Sequence, residues 1–123
     1  MNVFKRNLAL LAFVLISGIA AAQFRMDSDG KTIRNSSNSS VGRIDSDGST
    51  VRNSSNSSVG RVDSDGKTIR NSSNSAVLRI DGNDIRNSSN VVIAKMSDVL
   101  RDIKGSKAEA IYVALWWFIV KGN

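Results

Sequence analysis

From Arg25 onward the chain repeats itself every 18 residues, and that periodicity leaves few folds open to it. The copies read RMDSDGKTIRNSSNSSVG (25–42), RIDSDGSTVRNSSNSSVG (43–60) and RVDSDGKTIRNSSNSAVL (61–78). A fourth, RIDGNDIRNSSNVVIA (79–94), is two residues shorter. A fifth, degenerate copy occupies 95–105, where KMSDVLRD keeps Asp98 and Arg101-Asp102 but has Lys95 in place of Arg and lacks the turn glycine. Near-identity at a fixed period marks a repeat architecture, in which units bury their apolar faces against their neighbours.

A finer beat runs inside the repeat. Arg25, Arg34, Arg43, Arg52, Arg61, Arg70 and Arg79 stand nine residues apart. Each 18-mer is therefore two halves, each a short strand followed by a turn. One half carries Gly-Arg-Ile-Asp and the turn Asp-Ser-Asp-Gly; the other carries Thr-Ile-Arg-Asn and the turn Ser-Ser-Asn-Ser. Asp, Asn and Ser bond their own backbone in turns, and Gly accepts positive φ. The apolar positions are mostly β-branched, which suits strands. The pattern predicts five tandem β-hairpins and excludes a helical stripe from the repeats.

The repeats are poor in core. Residues 23–90 hold 14 apolar residues among 68, whereas residues 91–123 hold 20 among 33. Ser, Asn and Gly make up 32 of those first 68, a composition shared with disordered tracts. Disorder, however, does not require Arg, Val and Gly to recur in phase. The missing apolar area must come from the tail, residues 106–123. Within it AEAIYVALWWFIV (108–120) reads as a short helix from near Ser106, with Glu109 in capping-box order, or as a strand over 112–120. Adjacent Trp116 and Trp117 face opposite sides of a strand but sit about 100° apart on a helix, which favours a helix or hook. Ile111, Leu115, Trp116 and Phe118 are its expected core residues.

Residues 1–22 have the order of a secretory signal peptide: Lys5 and Arg6, the apolar run Leu8 to Ile16, then Ala20-Ala21-Ala22 before Gln23. The run from Leu8 to Ala22 is about 15 residues, short of the ~20 a spanning helix needs. The expected mature domain is residues 23–123, exported to the periplasm, the outer surface or the medium, with no transmembrane span. Cleavage removes two of the 17 cations and lowers the net charge from +6 to +4.

The signal-like start, the tandem G-R-I-D…D-G-x-x-V-R-N-S-S-N units and the small-then-aromatic tail together resemble the 5-fold β-flower proteins. The resemblance runs from Phe24 to about Phe118. It implies a small exported protein of Gram-negative bacteria, with five repeats arranged around a five-fold axis. With the hairpin and tail readings above, the expected fold is all-β, five hairpin repeats closed around that axis and a short C-terminal helix or hook packed on the ring. The family name describes a shape; no activity, cofactor or site residue comes with it.

Composition removes most chemistry. There is no Cys and no His, and Glu109 is the one Glu. The serines therefore have no imidazole base, thiolate catalysis is out, and sulfur- or His-ligated metal sites are excluded. The expectation is a non-enzymatic structural or interaction module without a cofactor. Asp-Ser-Asp-Gly (Asp27/Asp29, Asp45/Asp47, Asp63/Asp65) invites a calcium reading, but a calcium loop needs six to eight oxygens, and Asp-Gly is ordinary hairpin-turn chemistry. The alternative function is a carbohydrate- or polyanion-binding surface, such as a partner for a cell-surface glycan, with Arg34, Arg52, Arg70 and Arg86 as candidate ligand-facing residues. Against it, each Arg has an Asp nearby. A nucleic-acid partner is not expected, because residues 25–90 contain no Phe, Tyr or Trp for base stacking.

Overall fold

Each half-repeat becomes a strand in the computed structural model, which describes residues 23–123. The segment read as an export signal lies outside the described residues. Nine strands follow one another as an antiparallel meander: β1 (Phe24–Met26), β2 (Thr32–Arg34), β3 (Ser40–Ile44), β4 (Thr50–Asn53), β5 (Ser58–Val62), β6 (Thr68–Asn71), β7 (Ala76–Asp81), β8 (Asp84–Asn87) and β9 (Val92–Lys95). After β9 come helix α1 (Met96–Asp102) and a two-residue strand, β10 (Ile103–Lys104), which pairs in parallel with β1. Helix α2 (Ala110–Leu115) follows and runs into a π-helical turn, Trp116–Val120. Among the described residues no helix is long and apolar enough to cross a membrane.

The ten strands make one sheet in the order β10-β1-β2 through β9. The same irregularity recurs in every Asn-side hairpin, with the register shifting between Ile33/Arg34, Val51/Arg52, Ile69/Arg70 and Ile85/Arg86. A bulge bends its strand and increases the local twist. Repeated on every second strand, it curls the sheet around α2, which packs against β3, β4, β5 and β6.

Two expectations need correction. The hairpin ring does not close by hydrogen bonds, since β9 and β10 are not paired and the chain between them is α1. A helix of seven residues rises about 10 Å, so the two sheet edges stay close, but the fifth unit is a helix plus a stub of strand. The reason is in KMSDVLRD: without a turn glycine, Met96, Val99 and Ile103 recur at helical spacing and all three are buried. The Asp98 carboxylate accepts the Lys95 N–H at 2.9 Å and caps the start.

The second correction concerns the tail, which is helical as the Trp pair favours but begins later than expected. Glu109 is itself the N-cap of α2 and makes no side-chain cap. Ser106 instead donates its hydroxyl to the Ile103 carbonyl at 2.6 Å, closing the turn after β10.

The core forms where tail and sheet meet. Ile33, Val51, Ile69 and Ile85, the same repeat position four times, are fully buried, as are Val113, Ala114 and Leu115 of α2. Trp116 and Phe118 are buried, while Trp117 and Ile111 are only partly so. The Trp116 indole N–H reaches the Asp102 carboxylate at 2.8 Å and pins the tail to the end of α1.

Candidate functional site

The polar residues of the repeat are concentrated at its two kinds of turn. In the Asp turn of the first unit, Gly30 at φ +71° donates its N–H to the Asp27 carbonyl at 3.0 Å. Asp29 accepts the N–H groups of Lys31 (2.8 Å) and Thr32 (2.9 Å) and the Thr32 hydroxyl (2.7 Å). Asp47 and Asp65 repeat this arrangement. Backbone N–H bonds favour the carboxylate, so Asp29 and Asp65 are held down at about 2, and Asp47 is lowered for the same reason.

In the Asn turn, the Asn35 side-chain oxygen accepts the N–H groups of Ser37 and Ser39, both at 3.0 Å. Asn38 turns the chain at φ +65°, a conformation that Asn tolerates better than most side chains. Asn53 with Asn56, Asn71 with Asn74, and Asn87 with Asn90 do the same in later units.

Arginines tie the two turns together. The register sets Arg25 opposite Arg34, Arg43 opposite Arg52 and Arg61 opposite Arg70. Like charges directly opposite on a sheet repel, and here each pair shares one carboxylate. Asp27 accepts Arg25 at 3.2 Å and Arg34 at 2.9 Å; Asp45 accepts Arg43 and Arg52 at 2.8 and 2.9 Å; Asp63 accepts Arg61 and Arg70 at 2.6 and 2.8 Å. The double bonding from Arg52 and Arg43 lowers the Asp45 carboxyl below its ordinary value. The first Arg of each pair also donates to the next Asn-turn amide: Arg25 to Asn38, Arg43 to Asn56, Arg61 to Asn74. The second donates to that Asn's carbonyl, at 3.0 Å from Arg34, Arg52 and Arg70.

Three of the four candidate ligand-facing arginines, Arg34, Arg52 and Arg70, thus spend their donors within the repeat. Arg86 bonds the Asn90 carbonyl at 2.9 Å and lies 3.4 Å from Asp81 and 3.9 Å from Asp84. Asp84 is claimed by Lys95, whose ammonium lowers its carboxyl. Among the described residues, no three acidic side chains gather as a metal-binding group.

This fold and this lattice of turn contacts, repeated unit by unit, accord with a sequence match: the model of a family described as 5-fold beta-flower protein fits residues 22–118. The chain belongs to the 5-fold β-flower family. Comparisons with curated proteins and with solved structures return no match.

Three features of this β-flower protein escape a reading of the repeat alone. Gly60 leaves room for the tail: a Cβ there would overlap the Phe118 ring and lie 2.8 Å from the Arg70 carbonyl. Gly42 does the same for Ile119, at 2.9 Å. The next two units put Leu78 and Ala94 in that place, so one asymmetric tail is matched by a graded wall. The available signal was this Gly, Gly, Leu, Ala drift. The third feature is Arg79, whose expected partner Asp81 reaches Arg86 instead in the shortened turn of the fourth copy.

Several hollows flank the lattice. One of about 580 Å³ lies between the Asp turns of the second to fourth units and the start of α2, over Val62, Ile80, Met96 and Ile111. Another, of about 370 Å³, lies between β6, β7 and β8 beside Arg79.

Proposed function

We propose that this β-flower protein is an exported, non-enzymatic interaction module: a stiff five-unit ring, with α1 and β10 standing as the fifth unit and the tail as its plug. The observation that carries the reading is the use of the repeated polar groups. In three successive units the Asp, Asn and Arg side chains are committed to one another, so they stiffen a scaffold and are not poised around a reacting atom. The absence of His and Cys points the same way. Contact with a partner falls to the seam, where the repeat's Ser-Ser is replaced by Val91 and Val92. Val91, Val92, Ile93 and Leu100 are the large apolar side chains left exposed among the described residues. Grouped exposed apolar residues on a soluble surface mark interaction sites.

Two measurements test the reading. Intact mass after expression in an exporting Gram-negative host is expected to give a chain starting at Gln23; full-length protein in the membrane overturns the export part. A photo-crosslinking residue at Val91 is expected to give discrete adducts in the cell, and one at Ser55, on a rim turn, none. Equal behaviour at the two positions removes the seam as the contact surface.

The polyanion reading in its original form loses ground, because the Arg ladder is internally satisfied. Its chemistry survives at a single place.

A further inference from the structure

The fourth unit breaks the charge pattern of the other three. Its six-residue segment Asp-Ser-Asp-Gly-Lys-Thr is replaced by Asp81-Gly82-Asn83-Asp84, and Asp81 and Asp84 pair directly across a tightened hairpin. Arg79 still faces Arg86 across the ladder, as Arg61 faces Arg70. Asp81 keeps the place of the bridging carboxylate, two residues after Arg79, but in the tightened hairpin it lies within reach of Arg86 alone, and Arg79 has no ion pair among the described residues. The Asn partner is lost as well, since no bond joins Arg79 to Asn90 in the way Arg61 joins Asn74. Arg79 is exposed, with its guanidinium fork uncommitted, and it lines the hollow of about 370 Å³. That volume falls in the ~300–1,000 Å³ range of small-molecule sites.

We propose that Arg79 is the anchor of a binding site for an acidic saccharide, with the ligand's carboxylate making the contact to Arg79 that an Asp makes to the first Arg in each of the other units. The rest of the lining suits hydroxyl groups. Asn87 uses its side-chain oxygen on the N–H groups of Ser89 and Val91, which leaves its NH₂ free to donate. The Asn90 side-chain amide is unclaimed, and Ser88 adds a hydroxyl to the lining. Arg70, also in the wall, is locked on Asp63 and contributes positive potential without competing for the ligand. A planar guanidinium recognises a carboxylate bidentately, and Arg79, facing Arg86 with Asp81 turned to the latter, favours an incoming anion where the first Arg of each other unit already holds one. This inference stands apart from the seam and from export.

Titration of the protein with glucuronate, with glucose and with inorganic sulfate, followed by calorimetry or by amide shifts, tests it. Glucuronate is expected to saturate, weakening as salt rises, and glucose is expected not to bind. Arg79→Gln is expected to weaken glucuronate about tenfold or more, the scale of one lost charge-assisted contact, while Arg43→Gln, from the satisfied part of the ladder, leaves it unchanged. A second variant rebuilds the turn by replacing residues 82–84 with Ser-Asp-Gly-Lys-Thr; it restores the longer hairpin in which the Asp two residues after the first Arg bridges both arginines, lets Asp81 claim Arg79, and is expected to abolish binding with the fold intact. No saturable binding of glucuronate, or affinity equal in the parent and both variants, overturns the proposal. Sulfate binding as tightly as glucuronate also overturns it, reducing the site to a bare anion hole.

Discussion

At the scale of single residues, the molecule is held by short polar side chains bonding their own backbone. The Asp29 and Asp65 carboxyls sit at about 2 because N–H groups point at them, against an unfolded value near 3.9. A lowered folded-state value adds stability that is complete above the unfolded value and lost as pH falls toward the folded one. The melting temperature is therefore expected to be level above about pH 5 and to fall between about pH 4 and 2. Carboxyl NMR should show Asp65 titrating at about 2, and a midpoint near 4 would mean the turn bonds are not formed in solution. The same commitment bears on metals: Asp29, Asp47 and Asp65 are already coordinated by their own turns. A chelator is expected to leave the melting temperature unchanged, whereas a calcium-dependent rise would show a bound native state.

At the scale of elements, the informative contact is between β5 and the turn after α2. Gly60→Ala places a methyl group against Phe118 and the Arg70 carbonyl. It is expected to destabilise by about 1–3 kcal/mol, as overpacking does. Added to Phe118→Ala, the same change should cost much less, since the ring it strikes has gone; denaturant melts of the four-member cycle measure that coupling. Additive losses would show that the Arg70 carbonyl, not the ring, sets the limit at Gly60. Much at this scale was legible beforehand. Val51 and Ile69 recur in phase with Asp-Ser-Asp-Gly and Ser-Ser-Asn-Ser, so strand and turn follow from local chemistry. Helix α1 is hidden in the sequence because KMSDVLRD keeps Asp98 and Arg101-Asp102 of the repeat, while the helical spacing of Met96, Val99 and Ile103 is only about two turns long.

At the scale of the whole molecule, the sheet depends on its tail. The repeats carry 14 apolar residues among 68 and cover them with Val113, Leu115, Trp116 and Phe118 from outside the repeat. Removing residues 106–123 is expected to leave the repeats unfolded or aggregated by circular dichroism and gel filtration. Trp116→Ala is expected to cost about 3–5 kcal/mol, combining a lost buried ring with its bond to Asp102. A truncated chain that stays monomeric with its β spectrum intact would show that the ladders suffice.

The sequence by itself determined the strands, the two turn types, the phase of the buried Ile and Val positions and the need for an apolar tail. All of these follow from contacts within about 18 residues, or from a shortage that only one segment can fill. Tertiary structure decided the rest. Whether β9 meets β10 and why two units need glycine opposite Phe118 and Ile119 depend on groups far apart in the chain, and the shortened hairpin turns Asp81 to Arg86 only once the strands are paired. A repeat predicts equal neighbours; a single tail and a single shortened turn make the neighbours unequal, and that inequality exists only once the sheet has curled around α2.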